Sequence, residues 1–400
     1  MSRFRRIVHG VVSGYASLAV TTVYALASIP LALHYLTKEQ FGLWALMSTI
    51  GGYLSLVDFG MSGSVARLLI DHKDDRQSGT YGSLIKTGAL VTVAQGVIIF
   101  LVGFVIAPFL ADLLKIDPGL QMDFIALLRW QVAGLGMSFA MRIFSHILTA
   151  HQRMDVPNYG QMGAMILNFS VQWWFFHAGQ GVFSLAWGFI CGVFFSVSVS
   201  FIGCCVLPVL PVKGAWGRAS WQYFQELFAY GKDLFLVAVG TQLIMASQTM
   251  IITRRLGLEV AGIWAVGTRA FNMLYQLISR IVSMSMPAFS EMIVRGERAN
   301  LAGRFKDVVM VSASVGGFAA IGLATCNQTF VHILSHGKMS WAAHNDVLLG
   351  VWLVLLSILG CHNNLVLATK DVKMMRYIYF IEGSVFVVAA WITSQFGGLA

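Results

Sequence analysis

The stretch LTKEQFGLWA at residues 36–45 returns as LGLEVAGIWA at residues 256–265. The two stretches share five of ten residues at an offset of 220, and Gly42 with Gly262 and Trp44 with Trp264 are among the matches. Further pairs at this offset are Thr149 with Thr369, Arg153 with Lys373, Met154 with Met374 and Tyr159 with Tyr379. Self-similarity at one fixed period indicates that a single structural unit is used twice.

The sequence around these stretches is too apolar for a soluble domain. Hydrophobic residues fill 57% of the 400 positions and charged residues 11%, against about 25% charged residues in soluble domains. Eleven apolar stretches are long enough to cross a bilayer, at residues 10–36, 41–69, 81–107, 123–148, 158–177, 183–207, 232–256, 262–290, 305–326, 346–368 and 377–396. The sequence therefore predicts an all-α, polytopic membrane protein.

The repeat and the apolar stretches together predict two parallel six-helix lobes around a central cavity. An even number of helices in each repeat gives both lobes the same orientation in the membrane. Residues 1–207 are the predicted N-terminal transmembrane lobe, residues 208–231 a cytoplasmic connection, and residues 232–400 the C-terminal transmembrane lobe with helices 7–11. The period places a twelfth helix at about 403–428, so we expect that helix to be missing from this sequence.

The basic residues predict the orientation of the chain. Of 27 Lys and Arg residues, four lie deep within the apolar stretches, five lie in connections or near stretch ends on one side, and eighteen lie in connections or near stretch ends on the other side. The five are Lys38, Lys115, Arg254, Arg255 and Lys338. Because cytoplasmic connections collect Lys and Arg, the side with eighteen, which includes the N-terminus, is predicted to be cytosolic. The net charge of +9 then reflects membrane orientation, so membrane lipids are expected partners and nucleic acid is not.

Five ionisable residues inside the predicted spans are the candidate functional residues: Asp58, Arg129, Arg142, Arg269 and Arg280. A charge at a helix centre costs at least about 2.5 kcal/mol, so such residues normally face a bundle interior or a water-filled cavity. Arg269 and Arg280 lie on nearly one face of one helix, about 16 Å apart, whereas Arg129 and Arg142 lie on different faces of another. The alternative is that these arginines pair with carboxylates or reach toward lipid headgroups.

Four arginines against one aspartate predict a cationic substrate-binding cavity. Guanidinium groups match phosphate oxygens with paired hydrogen bonds and stay charged in any environment, so a diphosphate is the expected ligand. Asp58 is predicted to be a structural ion-pair partner, with a coupling-ion site as the alternative.

The motifs argue against enzyme chemistry. The predicted connections are too short for a catalytic domain, and the phosphate-binding pattern GxxxxGK[ST] is absent. The five cysteines lack the spacing of a zinc site. We therefore expect no catalytic residue, no metal and no cofactor; a membrane-embedded polysaccharide polymerase or ligase is the enzymatic alternative.

A family resemblance covers the chain and is most specific between residues 29 and 70. IPL at 29–31, FGLWA at 41–45, YLSLVDFGM at 53–61 and LTAHQRMD at 148–155 resemble the polysaccharide and O-antigen flippases of the multidrug/oligosaccharidyl-lipid/polysaccharide exporter superfamily. The resemblance implies two lobes around a central cavity. It also implies transport of undecaprenyl-diphosphate-linked oligosaccharides across the bacterial cytoplasmic membrane by alternating access, as part of polysaccharide biosynthesis.

The resemblance assigns no individual site residue. A flippase of this kind shares its lipid-linked substrate with polysaccharide polymerase and glycosyltransferase enzymes, which are therefore expected partners. The competing interpretation is a multidrug/cation antiporter of the same superfamily, which would need acidic residues to hold its cations.

The charge asymmetry gives a testable topology. Reporter fusions at the N-terminus and in the loop at residues 291–304 should show cytosolic activity, and fusions in the loop at 327–345 should show external activity. A periplasm-active reporter at Arg298 would contradict both the orientation and the parallel repeat.

Overall fold

The computed structural model describes residues 3–72, 75–77, 79–369 and 373–394. Lys73 and Lys370 are among the eighteen basic residues on the predicted cytosolic side, and both lie outside the described residues. Residues 395–400 of the predicted C-terminal lobe also lie outside them. The helices are α1 Arg3–Tyr35, α2 Lys38–Leu54, α3 Met61–His72, α4 Thr80–Leu113, α5 Pro118–Ala140, α6 Arg142–Ala150, α7 Asp155–His177, α8 Phe183–Val206, α9 Trp221–Met245, α10 Ser247–Leu256, α11 Leu258–Gly267, α12 Arg269–Val294, α13 Arg298–Leu334, α14 Ala343–Thr369 and α15 Lys373–Thr393. The described residues contain no strand.

These helices account for the predicted spans. Eight helical segments of the described chain are long and apolar enough to cross a membrane, and two of them join α5 with α6 and α9 with α10. The other three predicted spans are also helical: α2 with α3 and α11 with α12 are interrupted, and α7 carries several amide side chains. The prediction of an all-α, polytopic membrane protein is confirmed.

Helices α1–α8 pack largely on one another, as do α9–α15, and the two groups meet most extensively where α2 packs against α11. This contact joins the two repeated stretches, and it is reciprocal. A Cβ atom added to Gly42 would overlap the carbonyl oxygen of Leu258, and one added to Gly262 would lie 3.0 Å from that of Lys38. Because 38 and 42 become 258 and 262 at the offset of 220, each stretch presents the same positions to the other.

The membrane side that contains Lys38, called here the Lys38 side, is closed by packing between the two groups of helices. Lys38 Nζ donates to Glu259 Oε1 at 2.8 Å, and Lys338 Nζ donates to the carbonyl oxygen of Leu33. One hydrophobic core contains Leu36, Leu258 and Trp341 together with residues of α4, α5 and α8. Buried apolar area, more than the exposed ion pair, therefore holds this side shut.

The first repeat has a helix break that the second lacks. After α2, a short 3-10 turn at Ser55–Asp58 leads to Phe59 and Gly60, both with positive φ (48° and 69°), before α3 begins. There is also no space for a side chain at Gly60, since a Cβ atom there would lie 2.6 Å from the carbonyl oxygen of Gly231 in α9. The position 220 residues later is Arg280, which lies inside the continuous helix α12; the second repeat is instead interrupted earlier, at Thr268.

Within residues 208–231, the predicted connection, the chain is helical from Trp221, where α9 begins and runs without interruption to Met245. Leu227 of this helix is buried in a core with α3, α4 and α6. The non-helical part is fixed to α4, where Lys86 Nζ donates to the carbonyl oxygen of Gly217 at 2.9 Å. The division of the chain into lobes at 207 and 232 stays a prediction.

The reciprocal glycine contact predicts that even one added methyl group opens the α2–α11 packing. Gly42→Ala must push the Leu258 backbone away, which should cost about 1–3 kcal/mol of stability and lower the thermal unfolding temperature of the purified protein. Gly303→Ala in α13 is the matched control, because nothing lies within 4 Å of its added Cβ atom. Equal unfolding temperatures for the two variants would contradict the close contact.

Candidate functional site

A cavity of about 590 Å³ lies between the two groups of helices. Its walls come from α1, α2, α7 and α8 on one side and from α9 to α12 and α14 on the other. This size is within the usual range for pockets that hold small ligands. Because its walls come from both groups of helices, the site lies where the two repeats face each other.

Residues related by the repeat line this central cavity on opposite walls. Trp44 faces the cavity from α2 and Trp264 from α11, and both Ser48 and Thr268 contribute hydroxyl groups. At the next residue the pairing changes in kind, because Thr49 in the first repeat corresponds to Arg269 in the second. The walls are thus similar in shape and different in charge.

Arg269 is the one ionisable side chain of formal charge among the described residues that line the central cavity. It is the first residue of α12, directly after the interruption at Thr268. Its Nε atom is buried and has no hydrogen-bond partner in the described part of the chain. A buried donor on a charged group is costly to leave unpaired, so the cavity is suited to a ligand that supplies an acceptor.

A chain of hydrogen bonds lies on the opposite wall. Gln172 Nε2 donates to Tyr24 Oη at 3.0 Å and to Asn168 Oδ1 at 2.6 Å. The remaining oxygen of this amide, Gln172 Oε1, is buried without a partner among the described residues. Both α1 and α7 therefore present polar groups to the space that Arg269 faces.

Asp58 and Arg142 form an ion pair away from the central cavity. Arg142 Nη1 lies 3.4 Å from Asp58 Oδ1 and donates to Ser62 Oγ at 3.2 Å. Asp58 also accepts hydrogen bonds from the hydroxyl and backbone N–H of Ser62, near the start of α3, where a negative charge is favourable. The Arg142 guanidinium lies 3.6 Å from the centre of the Phe139 ring. The pair locks the break between α2 and α3 to α6.

The structure does not bring the four predicted arginines into one cavity. Arg142 lines a separate cavity of about 360 Å³ within the first group of helices. Arg280 lines another, of about 560 Å³, formed by α12 and α14 with Leu18 of α1. Arg129 packs with its guanidinium 4.3 Å from the centre of the Phe104 ring and lines none of these three cavities. That Arg129, Arg142 and Arg280 bind the same ligand group as Arg269 stays a prediction.

Sequence reasoning missed Asp346, a carboxylate that is 1% exposed. Asn327 Nδ2 and Trp341 Nε1 each donate to its Oδ1 at 2.6 Å, and Asn327 Nδ2 also donates to the carbonyl oxygen of Gly267 at 2.9 Å. This network fixes the point where α11 meets α12, next to Arg269. Asp346 lies at the first residue of a predicted span, where a charge is unremarkable in sequence; only the fold shows its burial.

The Asp58–Arg142 pair predicts a stability difference. Asp58→Ala should lower stability by about 1–3 kcal/mol, because it leaves a half-buried guanidinium without its charged acceptor, and Arg142→Met in the same chain should recover part of the loss. The surface pair of Arg304 and Asp307, which is 70% and 62% exposed, gives the control, and Asp307→Ala should change stability by less than about 0.5 kcal/mol. Equal thermal shifts for Asp58→Ala and Asp307→Ala would show that the pair has no structural role.

Several solved structures of MATE transporters share the fold of this chain. The chain is similar to an inward-facing multidrug resistance MATE family transporter of the MOP superfamily, with 10% identity over 94% of both chains and a TM-score of 0.70. The likeness to an outward-facing transporter of that family covers 98% of this chain and 95% of the other, with 13% identity and a TM-score of 0.61. A eukaryotic MATE transporter matches 98% of this chain and 92% of its own, with 10% identity and a TM-score of 0.59. Such identities show the fold alone.

The sequence itself decides the family. No curated protein matches the chain, but the family model described as "Polysaccharide biosynthesis protein" matches residues 31–340. That range includes both repeated stretches and the five candidate residues named from the sequence, Asp58, Arg129, Arg142, Arg269 and Arg280. This chain, a multi-pass membrane protein with the transporter fold of the MOP superfamily, belongs to the polysaccharide biosynthesis protein family.

Proposed function

We propose that this protein transports a lipid-linked oligosaccharide, carried on undecaprenyl diphosphate, across the bacterial cytoplasmic membrane during polysaccharide biosynthesis. The family match supports a role in polysaccharide biosynthesis, and the fold supports transport. The proposal names the substrate more finely than either does, and rests on the chemistry of the central cavity.

The observation that carries the proposal is the buried cation in that cavity. Arg269 is unpaired at Nε, and the described lining contains no carboxylate. In a low-dielectric enclosure one unit charge acts more strongly than in water. An anion is therefore attracted to the cavity, and a diphosphate supplies several oxygen acceptors for one guanidinium.

Alternating access accounts for both sides of the membrane. In the proposed orientation the N-terminus is cytosolic and the Lys38 side, which is closed, is external. The higher likeness to an inward-facing transporter than to an outward-facing one supports this orientation. The diphosphate binds at Arg269 while the lipid tail stays in the bilayer, and closure around the bound anion favours reopening on the Lys38 side. Polymerase and glycosyltransferase enzymes that use the same lipid are the proposed partners.

A multidrug/cation antiporter is the second candidate, and one observation favours it. Trp44, Trp264 and Trp352 line the central cavity, and tryptophan rings attract organic cations. The names of the similar solved structures also describe multidrug transporters. The single positive charge of the described lining opposes this candidate, because a cationic ligand would be repelled at short range.

Substitution of Arg269 distinguishes the two candidate functions. Arg269→Ala should weaken binding of undecaprenyl diphosphate to the purified protein about 10- to 100-fold, the loss of one charged hydrogen-bonding group. Arg269→Lys should keep part of the affinity, because it keeps the charge and loses the planar fork. The measurement is the rise in thermal unfolding temperature with lipid concentration.

Arg255→Ala is the matched control, since Arg255 stacks on the ring of Trp391 at 3.9 Å and lines no described cavity. Its binding should equal that of the unsubstituted protein. Stabilisation by ethidium with no response to undecaprenyl diphosphate would overturn the proposal in favour of the antiporter.

A further inference from the structure

A second cavity adjoins the central one. The cavity of about 360 Å³ between α5, α6, α7 and α8, called here the side cavity, shares Met165, Asn168 and Phe189 with the central cavity. Three shared lining residues mean that the two spaces adjoin along α7 and α8. The side cavity is therefore close to any ligand that occupies the central one.

The side cavity combines apolar side chains with several polar groups and has no net charge among its described lining residues. Its one ionisable lining residue of formal charge among those described is Arg142, whose charge is balanced by Asp58 at 3.4 Å. The other polar groups are hydroxyls and amides: Ser138, Ser145, Gln161, Ser196 and Ser200. In contrast, the central cavity has an arginine with no carboxylate beside it. The two spaces are thus suited to different parts of a ligand.

Several polar groups of the side cavity are available to a ligand. The hydroxyls of Ser138 and Ser145 and the amide of Gln161 have no hydrogen-bond partner among the described residues. Each can both donate and accept. Phe189 adds an aromatic ring at the junction, and a Cβ atom on Gly134 would lie 2.7 Å from that ring, so this glycine makes room for it.

We propose that the side cavity is a subsite for the sugar next to the diphosphate, an inference that rests on the proposed function. A sugar is uncharged and carries many hydroxyls, so it can form hydrogen bonds with the hydroxyl and amide groups of the side cavity. Unlike a diphosphate, it does not require an unpaired positive charge in the cavity. Asn168 lines both spaces and bonds to Gln172, so it lies where a sugar–phosphate linkage would cross. Ser138, Ser145 and Gln161 then select the sugar, and Arg269 holds the diphosphate.

The test compares two lipids on purified full-length protein: undecaprenyl diphosphate, and the same lipid bearing one N-acetylglucosamine. The variant Ser145→Ala/Gln161→Ala should bind the sugar-bearing lipid about tenfold more weakly, the loss of two neutral hydrogen-bonding groups. It should bind the bare diphosphate lipid unchanged, which also shows that the variant is folded. Ser170→Ala is the control, because Ser170 lies on α7 with Gln161 and lines neither cavity. Its exposed hydroxyl donates to the carbonyl oxygen of Ile166.

The two lipids also keep the inference separate from the proposed function. Arg269→Ala should weaken the binding of both lipids; if it weakens the binding of neither, the proposed diphosphate site is wrong. Suppose instead that Arg269→Ala weakens the binding of both lipids. If Ser145→Ala/Gln161→Ala then leaves the binding of both unchanged, or weakens both equally, the diphosphate site stands and the sugar subsite is overturned.

Discussion

The structure depends on one close backbone contact, between Gly42 of α2 and Gly262 of α11. A Cβ atom at Gly42 would overlap the Leu258 backbone and one at Gly262 would be tightly placed, so the two helices meet backbone to backbone, as small residues allow in membranes. The ion pair of Lys38 with Glu259 and the burial of Trp341 belong to the same closed side. Because the contact pairs repeat-related positions, separating it affects both halves of the chain together.

Much of the fold could be predicted from hydropathy and the repeat, because both are read directly along the chain. Apolar length gave the helices, and the repeat identified the two similar stretches, whereas their contact as α2 and α11 was found in the structure. The breaks could not be predicted. Phe59 adopts a positive φ that its residue type disfavours, and the helix break at Thr268 follows Gly267, where Asn327 donates to the carbonyl oxygen of Gly267. Both breaks are imposed by tertiary contacts, which a local pattern does not contain.

The candidate residues could be found by their charge, but their grouping could not. Arg269 and Arg280 are spaced to share one face of α12, yet they line different cavities, and the cavity of Arg280 is formed by α12 and α14 with Leu18 of α1. Asp58 and Arg142 are 84 residues apart and meet through the break after α2. Asp346 is hidden in sequence by its position at the end of a span. Spacing fixes positions along one helix, and only packing determines what faces them.

The two repeats have kept their backbone contacts while their charges have diverged. Asp58 and Arg142 correspond to Ile278 and His362, and Arg269 and Arg280 to Thr49 and Gly60. The first half thus holds a balanced pair and hydroxyl groups, whereas the second half contributes the cation of the central cavity. A symmetric closing contact needs only matched backbones, so it tolerates this divergence. An asymmetric lining orients a ligand that has one charged and one neutral end, since each end meets its complementary wall in one orientation only.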